Sequence, residues 1–309
     1  MNALDLPENQ NLYELEAKIG EGTFASVYIC KQTNGEFYAC KKFHLSMLKL
    51  QKLDQYIYNE IKILKEIKSG HPNILNLVDY YYEKHYLYLI TELLRGGELL
   101  DRLHVIDHFD EGHVKLIIKQ VVSGLVYLHS NYIVHRDIKP ENIVFRYKDR
   151  LEVVLVDFGL ATHVDPLERP TLMSPAGSKG FVAPEILLAE PYNDAVDMWS
   201  IGVTTYFILC GHTPFENLES DEGNDEHLRI MSGNYRFNKG DWQVISLEAK
   251  EFIKKLLCVD PTKRYTAKQA LADLWFSKVE TLGRSPQDIH VYNTHLGSKS
   301  ITNNTVSYV

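Results

Sequence analysis

Along "YELEAKIGEGTFASVYICKQTNGEFYACKKF" (13–43), apolar and polar positions alternate in short runs, and Asn34-Gly35 falls between two of them. Period-two alternation broken by an Asn-Gly pair marks strands joined by a hairpin, so three strands are predicted here. The period then changes. In "LDQYIYNEIKILKEIK", Leu53, Ile57, Ile61 and Leu64 recur every three or four positions, the spacing of one helix face. Glu60 lies beside this stripe, and on most helices a carboxylate so placed faces water. "HPNI" (71–74) ends the helix and "LYLITELL" supplies another strand. Gly96 and Gly97 then mark a hinge into a second, helix-rich region.

The string "IGEGTFASVY" (19–28) has three readings: a loop whose backbone N–H groups hold a phosphate, the opening of a dinucleotide-binding unit, or an ordinary turn. A dinucleotide fold leads from strand through glycines into helix. Here "SVYICKQ" is β-branched and aromatic, so the glycines lead into a strand. That removes the dinucleotide reading and leaves the other two.

Composition narrows the setting. The 309 residues are 45% hydrophobic and 24% charged, a soluble globular balance long enough for about two lobes. A net charge of −8 argues against a nucleic-acid partner. The four cysteines (Cys30, Cys40, Cys210, Cys258) form no CxxC pair or zinc spacing, which suits reduced thiols. The thirteen histidines show no metal-site spacing either. "MNALDLPENQ" lacks a signal-peptide pattern, and the longest apolar run, near "MWSIGVTTYFILC", is too short and polar to span a bilayer. The expectation is a monomer in the cytoplasm, with the nucleus as alternative, and no membrane association.

"HRDIKPEN" (135–142) and "DFG" (157–159) carry the chemistry. Phosphoryl transfer needs a carboxylate to orient the attacking hydroxyl, a cation on the γ-phosphate, and oxygen ligands for Mg²⁺. Asp137, Lys139, Asn142 and Asp157 offer one candidate for each duty. Together with the Ala-x-Lys strand at Ala39–Lys41, these strings closely resemble the eukaryotic protein kinase family over roughly residues 13–276. Lys139 in the eight-residue string points to Ser/Thr kinases. "ELLRGGELLDRL" and "GLVYLHSNYIVHRDIKPENIVF" look most like the calcium/calmodulin-dependent kinase group.

The resemblance implies an α+β bilobal kinase fold. Its N-lobe would be an antiparallel sheet with one main helix (13–94), and its C-lobe mostly helical (95–276). An N-terminal extension (1–12) and a C-terminal tail (277–309) flank the two. It implies ATP and Mg²⁺ as cofactors, with Asp137 as catalytic base beside Lys139 and Lys41. Asn142 and Asp157 would be the metal ligands. The nucleotide would be held by Ile19, Gly20, Glu21, Gly22, Thr23, Phe24, Ala25, Ser26, Val27, Ala39, Lys41, Glu60, Glu92, Leu94 and Glu98, with Thr91 at the back of the adenine pocket. Ala25 stands where a third glycine is usual. Glu60 would pair with Lys41, which replaces the solvated-face reading; Cys40 beside that lysine would point to the opposite face. Glu185 of "APE" would pair with Arg264, and Asp197 would brace the catalytic loop.

Partners follow in the same way. Glu98 matches the glutamate that binds an arginine three residues before the phosphoacceptor, and Glu141 could read a second basic residue. Phe207 stands where strongly basophilic relatives carry a further glutamate. Protein substrates of the form Arg-x-x-Ser/Thr are expected. Gly177-Ser178-Lys179 departs from the usual Gly-Thr-Pro: Ser178 keeps the hydroxyl that bridges Asp137 and Lys139, while Lys179 alters the pocket for the residue after the acceptor. Arg136 would pair with a phosphate on Ser174, or second on Thr171, placed there by a proline-directed upstream kinase because Pro175 follows. Thr162, Tyr56 and His163 leave that phosphate pocket thin, His163 being its one obvious helper. The tail shows no basic amphipathic helix of the calmodulin-target kind, and no EF-hand loop is present. A pseudokinase and a small-molecule phosphotransferase are the competing readings. The first is opposed by the full set Lys41, Glu60, Asp137, Asn142 and Asp157, the second by "APE" and "DMWSIG".

Overall fold

The structure is a computed structural model that describes residues 12–21, 25–50, 54–68, 70–106, 109–164, 172–174, 176–216 and 226–277. Strands β1 (Tyr13–Glu21), β2 (Ala25–Gln32) and β3 (Phe37–His44) follow the predicted alternation. Helices α1 (Leu45–Leu50) and α2 (Asp54–Ile67), then β4 (Leu77–Glu83) and β5 (Tyr86–Glu92), complete the first lobe. The five strands form one antiparallel sheet in the order β1-β2-β3-β5-β4. Its Asn34-Gly35 hairpin closes with Gln32 N–H donating to Glu36 O at 2.8 Å, and Gly35 adopts φ +93°, which glycine tolerates without strain. Strand β1 feeds through the glycine string into strand β2, as its β-branched sequel requires; Gly22–Phe24 themselves lie outside the described residues.

Register sets what each sheet face presents. Val27 pairs with Lys41, Lys41 with Leu89, and Ala39 with Thr91, so these five side chains share the face turned toward the second lobe. Cys40 alternates to the other face, where it is buried with Cys30, Tyr81, Tyr88 and Ile90. Its hydrogen bond to Cys30, together with burial, raises its thiol pKa, so the group stays protonated. Tyr81 stacks on both Tyr13 and Tyr88, with ring centres 6.1 and 4.6 Å apart, and closes that outer face.

The second lobe comprises α3 (Leu99–Ile106), α4 (Glu111–Ser130), β6 (Ile133–Val134), β7 (Ile143–Phe145), β8 (Val153–Leu155) and β9 (Thr162–His163). Helices α5 (Pro184–Leu187), α6 (Ala195–Cys210), α7 (Glu226–Ser232), α8 (Leu247–Leu256), α9 (Ala267–Leu271) and α10 (Leu274–Ser277) follow. Helix α6 is apolar nearly all round and accordingly buried nearly all round, the central element against which α4 and α8 rest. Strand β6 pairs with β9 and β7 with β8; the stretch with Asp137 and Asn142 runs from β6 to β7, and the loop with Asp157 from β8 to β9. Among the described residues no helix is long and apolar enough to cross a membrane.

The lobes meet at the predicted glycine hinge. Arg95 N–H donates to Arg146 O at 3.0 Å, Gly96 N–H to Phe145 O at 2.9 Å, and Phe145 N–H to Gly97 O at 2.9 Å. A Cβ on Gly96 would stand 2.4 Å from Phe145 Cβ and from Tyr147 O, so only glycine lets the chains approach this closely. Gly97 takes φ +77°.

Candidate active site

A cavity of about 500 Å³ opens between the sheet and the second lobe. Its walls include Val27, Ala39, Lys41, Glu60, Thr91, Glu92, Glu98, Lys139, Glu141, Asn142 and Asp157 from the sequence reading. Leu75, Leu89, Leu100, Asp101 and Val156 also line it, and sequence reasoning missed them. Leu89 was within reach, since it lies two residues from Thr91 on the same strand face. Leu75, from the turn before β4, and Leu100 and Asp101, from α3, had no local signal. Ile19, Gly20, Glu21, Ala25 and Ser26 border the glycine turn and are not in the cavity wall. Leu94 is buried in the core of the second lobe instead. At Glu92 one carboxylate oxygen accepts from Asn76 N–H at 3.0 Å and the other pairs with Arg146, which ties the strand end to the hinge.

The loop that carries Asp137 is held by a network of hydrogen bonds. Ser178 Oγ donates to Asp137 Oδ1 at 2.8 Å and accepts from Lys139 Nζ at 2.7 Å. Lys139 Nζ also lies 3.1 Å from Asp137 Oδ2, and Asn142 Nδ2 donates to the same oxygen at 3.0 Å and to Asp137 O at 2.8 Å. The serine for threonine therefore keeps the bridging hydroxyl. Beneath the loop, fully buried Asp197 accepts from His135 N–H at 2.9 Å, Arg136 N–H at 2.8 Å and His129 Nε2 at 2.8 Å. Burial alone would raise the pKa of Asp197, but its bonds with His129 and His135 outweigh it and hold the carboxyl below its usual range. His135 accepts Asp137 N–H at Nδ1 (3.3 Å), which leaves Nε2–H to donate to Val156 O at 3.1 Å; its ring meets Phe158 edge-on.

Asp157 is held in the left-handed region at φ +60°, and its Oδ1 accepts Gly159 N–H at 3.1 Å. Glu60 is 4% exposed, not solvated. Burial and the neighbouring Asp157 push its pKa up to about 7, against the pull of Lys41 and the Phe158 N–H. Among the described residues no ion pair within 4.0 Å joins Glu60 to Lys41. The lysine Nζ instead stands 5.4 Å from the centre of the Phe43 ring. The two charges face one cavity without closing on each other, because Glu60 is also engaged by the loop that follows Asp157.

Further along, Glu185 and Arg264 form a buried bidentate pair at 2.7 and 3.0 Å. Arg136 Nη1 donates to Ser174 Oγ at 2.8 Å and to Tyr192 OH at 3.0 Å, and Tyr192 OH donates to Ser174 O at 2.5 Å. His163 Nε2 is bonded to Glu66 at 3.0 Å rather than to this group, which corrects the expectation that it helps at Ser174. Thr171 and Pro175 lie outside the described residues. Exposed Lys179 is 3.4 Å from Glu226.

The fold and the site together define an ATP-dependent phosphotransferase of protein kinase architecture. Residues 13–276 match the protein kinase domain, and the chain belongs to that family. It is 40% identical over 269 residues to a calcium/calmodulin-dependent protein kinase type I of Schizosaccharomyces pombe, covering 86% of this chain and 78% of that protein. It is 38% identical over 268 residues to a calcium/calmodulin-dependent protein kinase type 1 of Caenorhabditis elegans, covering 86% and 74%. A third relative, calcium/calmodulin-dependent protein kinase cmkB of Emericella nidulans, is 38% identical over 269 residues, 86% of this chain but 65% of that longer protein. The chain is a Ser/Thr protein kinase of this calcium/calmodulin-dependent-like group. The family uses ATP and Mg²⁺.

Proposed function

We propose that residues 13–276 transfer the γ-phosphoryl group of ATP to Ser or Thr in segments of the form Arg-x-x-Ser/Thr, with 1–12 and 277–309 as flanking extensions. The observation that carries this is the Asp137–Ser178–Lys139 triangle beside a cavity that also presents Lys41, Asn142 and Asp157. Asp137 orients the acceptor hydroxyl and takes its proton as the oxygen attacks the γ-phosphorus. The bond to the bridging oxygen breaks and ADP leaves, while Lys139 faces the charge that develops on the transferred group. Lys41 holds the remaining phosphates.

The donor set suits magnesium. Among the described residues no three His, Cys, Asp or Glu gather as a metal cage, and Mg²⁺ in such sites takes one or two protein oxygens together with substrate phosphates. Asp157 offers a carboxylate. Asn142 commits its Nδ2 to Asp137, so its carbonyl oxygen is the atom it can offer a cation. When bound, the metal neutralises phosphate charge.

Glu98 and Glu141 line the same cavity, which supports recognition of basic residues before the acceptor. Calmodulin dependence belongs to the names of the relatives; the stretch of tail that would carry such a target, 278–309, lies outside the described residues. A degenerate peptide library with Mg-ATP tests the proposal. Wild-type protein should select arginine three residues before Ser/Thr, Glu98→Ala should lose that selection, and Asp137→Asn should fall by roughly 10²–10⁴-fold on all peptides while still binding nucleotide. Near-normal turnover by Asp137→Asn would overturn the catalytic assignment, and an unchanged arginine preference in Glu98→Ala would overturn the substrate assignment.

A further inference from the structure

Helix α2 meets the loop after Asp157 along one side. At its start, a Cβ on Gly159 would stand 3.7 Å from both Cβ and O of Tyr56. At its end Glu66 bonds His163 at 3.0 Å. Between them, Asn59 directs a single amide nitrogen at three backbone carbonyls: Phe158 O at 3.5 Å, Gly159 O at 3.0 Å and Ala161 O at 2.7 Å. An amide NH₂ carries two protons, so three acceptors oversubscribe it and the group acts as a local positive pole over a converging set of carbonyls. Those carbonyls belong to the turn that follows Asp157, which stands at φ +60°, a left-handed conformation uncommon outside glycine, asparagine and aspartate. Asn59 is also the immediate neighbour of Glu60, so the restraint and the buried carboxylate ride on one turn of helix.

We propose that Asn59 is a positioning residue that locks the loop carrying Asp157 to helix α2, so that the helix and the metal-binding carboxylate shift as one unit. The proposal rests on the assignment of Asp157 as the metal ligand. Without the Asn59 amide the three carbonyls lose a common partner, the turn relaxes toward ordinary backbone, and the Asp157 carboxylate leaves the setting in which a nucleotide-bound cation meets it. Binding of nucleotide without metal uses other walls of the cavity and should be little affected.

The test uses the full chain and measures ADP affinity by calorimetry across a Mg²⁺ series, with hydrogen exchange of the Phe158–Ala161 amides as a second readout. Asn59→Leu removes the donor while keeping the branched skeleton and the number of side-chain heavy atoms. Asn59→Asp keeps the shape but turns an oxygen toward three oxygens, and serves should the leucine variant fold poorly. The expected result is a roughly tenfold loss of the Mg²⁺-dependent gain in ADP affinity. Metal-free affinity should be unchanged and exchange at 158–161 faster. A folded variant with the parent Mg²⁺ dependence and parent exchange rates would overturn the role of Asn59. Asp157→Asn separates this from failure of the underlying assignment. If that substitution leaves the Mg²⁺ dependence intact, the metal ligand is misassigned. If it abolishes the dependence while the Asn59 variants keep it, only the positioning role falls.

Discussion

At Glu60 two opposing effects meet on one side chain. Removal from water favours the protonated acid, and Asp157 nearby adds to this, while Lys41 and the Phe158 N–H favour the carboxylate; the outcome is a pKa near 7 instead of the ordinary 4.5. Below the ordinary value the acid is protonated whether the chain is folded or not. Between that value and about 7 the folded protein keeps a proton the unfolded chain has released, so stability falls as pH rises. Above 7 both states are ionised and no further change follows. Glu60→Gln should therefore remove a component of the decline in thermal midpoint between about pH 5 and 7.5, measured without nucleotide. Parallel midpoint curves for the two proteins would show that Glu60 titrates normally. The helical stripe placed this residue beside the core, but its burial depends on the lobe beneath it.

Beside the apolar core, a buried ion pair joins elements of the second lobe. Arg264, from the turn after α8, reaches Glu185 at the start of α5 with both side chains out of water, and it also donates to Ala195 O and Cys258 O. Removing one partner strands the other charge, which typically costs about 3–5 kcal/mol, whereas replacing both avoids that penalty. Urea unfolding of Arg264→Leu should show a loss of that size, and Arg264→Leu with Glu185→Leu should recover part of it. A double variant less stable than the single would contradict this reading. In the first lobe most elements were legible, whereas the second region was read only as helix-rich. The three-strand pattern stands as read, and so do Ile57, Ile61 and Leu64 of the α2 stripe, Leu53 lying outside the described residues, yet β4 and α1 were not predicted. In "LVDYYYEKHYLYL" tyrosines crowd both faces and mask the alternation, and only pairing with β5 shows that Tyr81 is buried on the face of Cys40. Helix α1 is six residues long, too short for a periodic signal.

On the scale of the whole molecule, the segment that follows Asp157 touches α2 of the first lobe through residues 158–163 and reaches Arg136 of the second through Ser174. Arg136 already holds the unmodified Ser174 hydroxyl, and Tyr192 bonds both the arginine and the Ser174 carbonyl, so the segment has an anchor without phosphate. A phosphate would add charge-assisted bonds to an existing contact, with His163 engaged elsewhere. Unmodified protein should thus phosphorylate peptides measurably. Ser174→Ala should retain part of that activity, and phosphorylation of Ser174 should raise kcat/KM by about an order of magnitude at most. Protein inert until phosphorylated would mean that the hydroxyl contact does not order the segment.

The chemistry of this protein was written locally. "HRDIKPEN", "DFG" and the Ala-x-Lys strand each fall within eight residues, and the spacing within such a string survives any arrangement of the rest. Antiparallel alternation likewise fixed in advance that Lys41 and Cys40 would part to opposite faces. Tertiary structure alone decided what depends on long sequence separation. It brought Ser178 against Asp137 across 41 positions, and set Asn59 over carbonyls about a hundred residues away. It kept Glu60 short of contact with Lys41 and turned His163 toward Glu66. Those outcomes are competitions among neighbours for one hydrogen bond or one counter-charge, and the competitors meet only once the chain has folded.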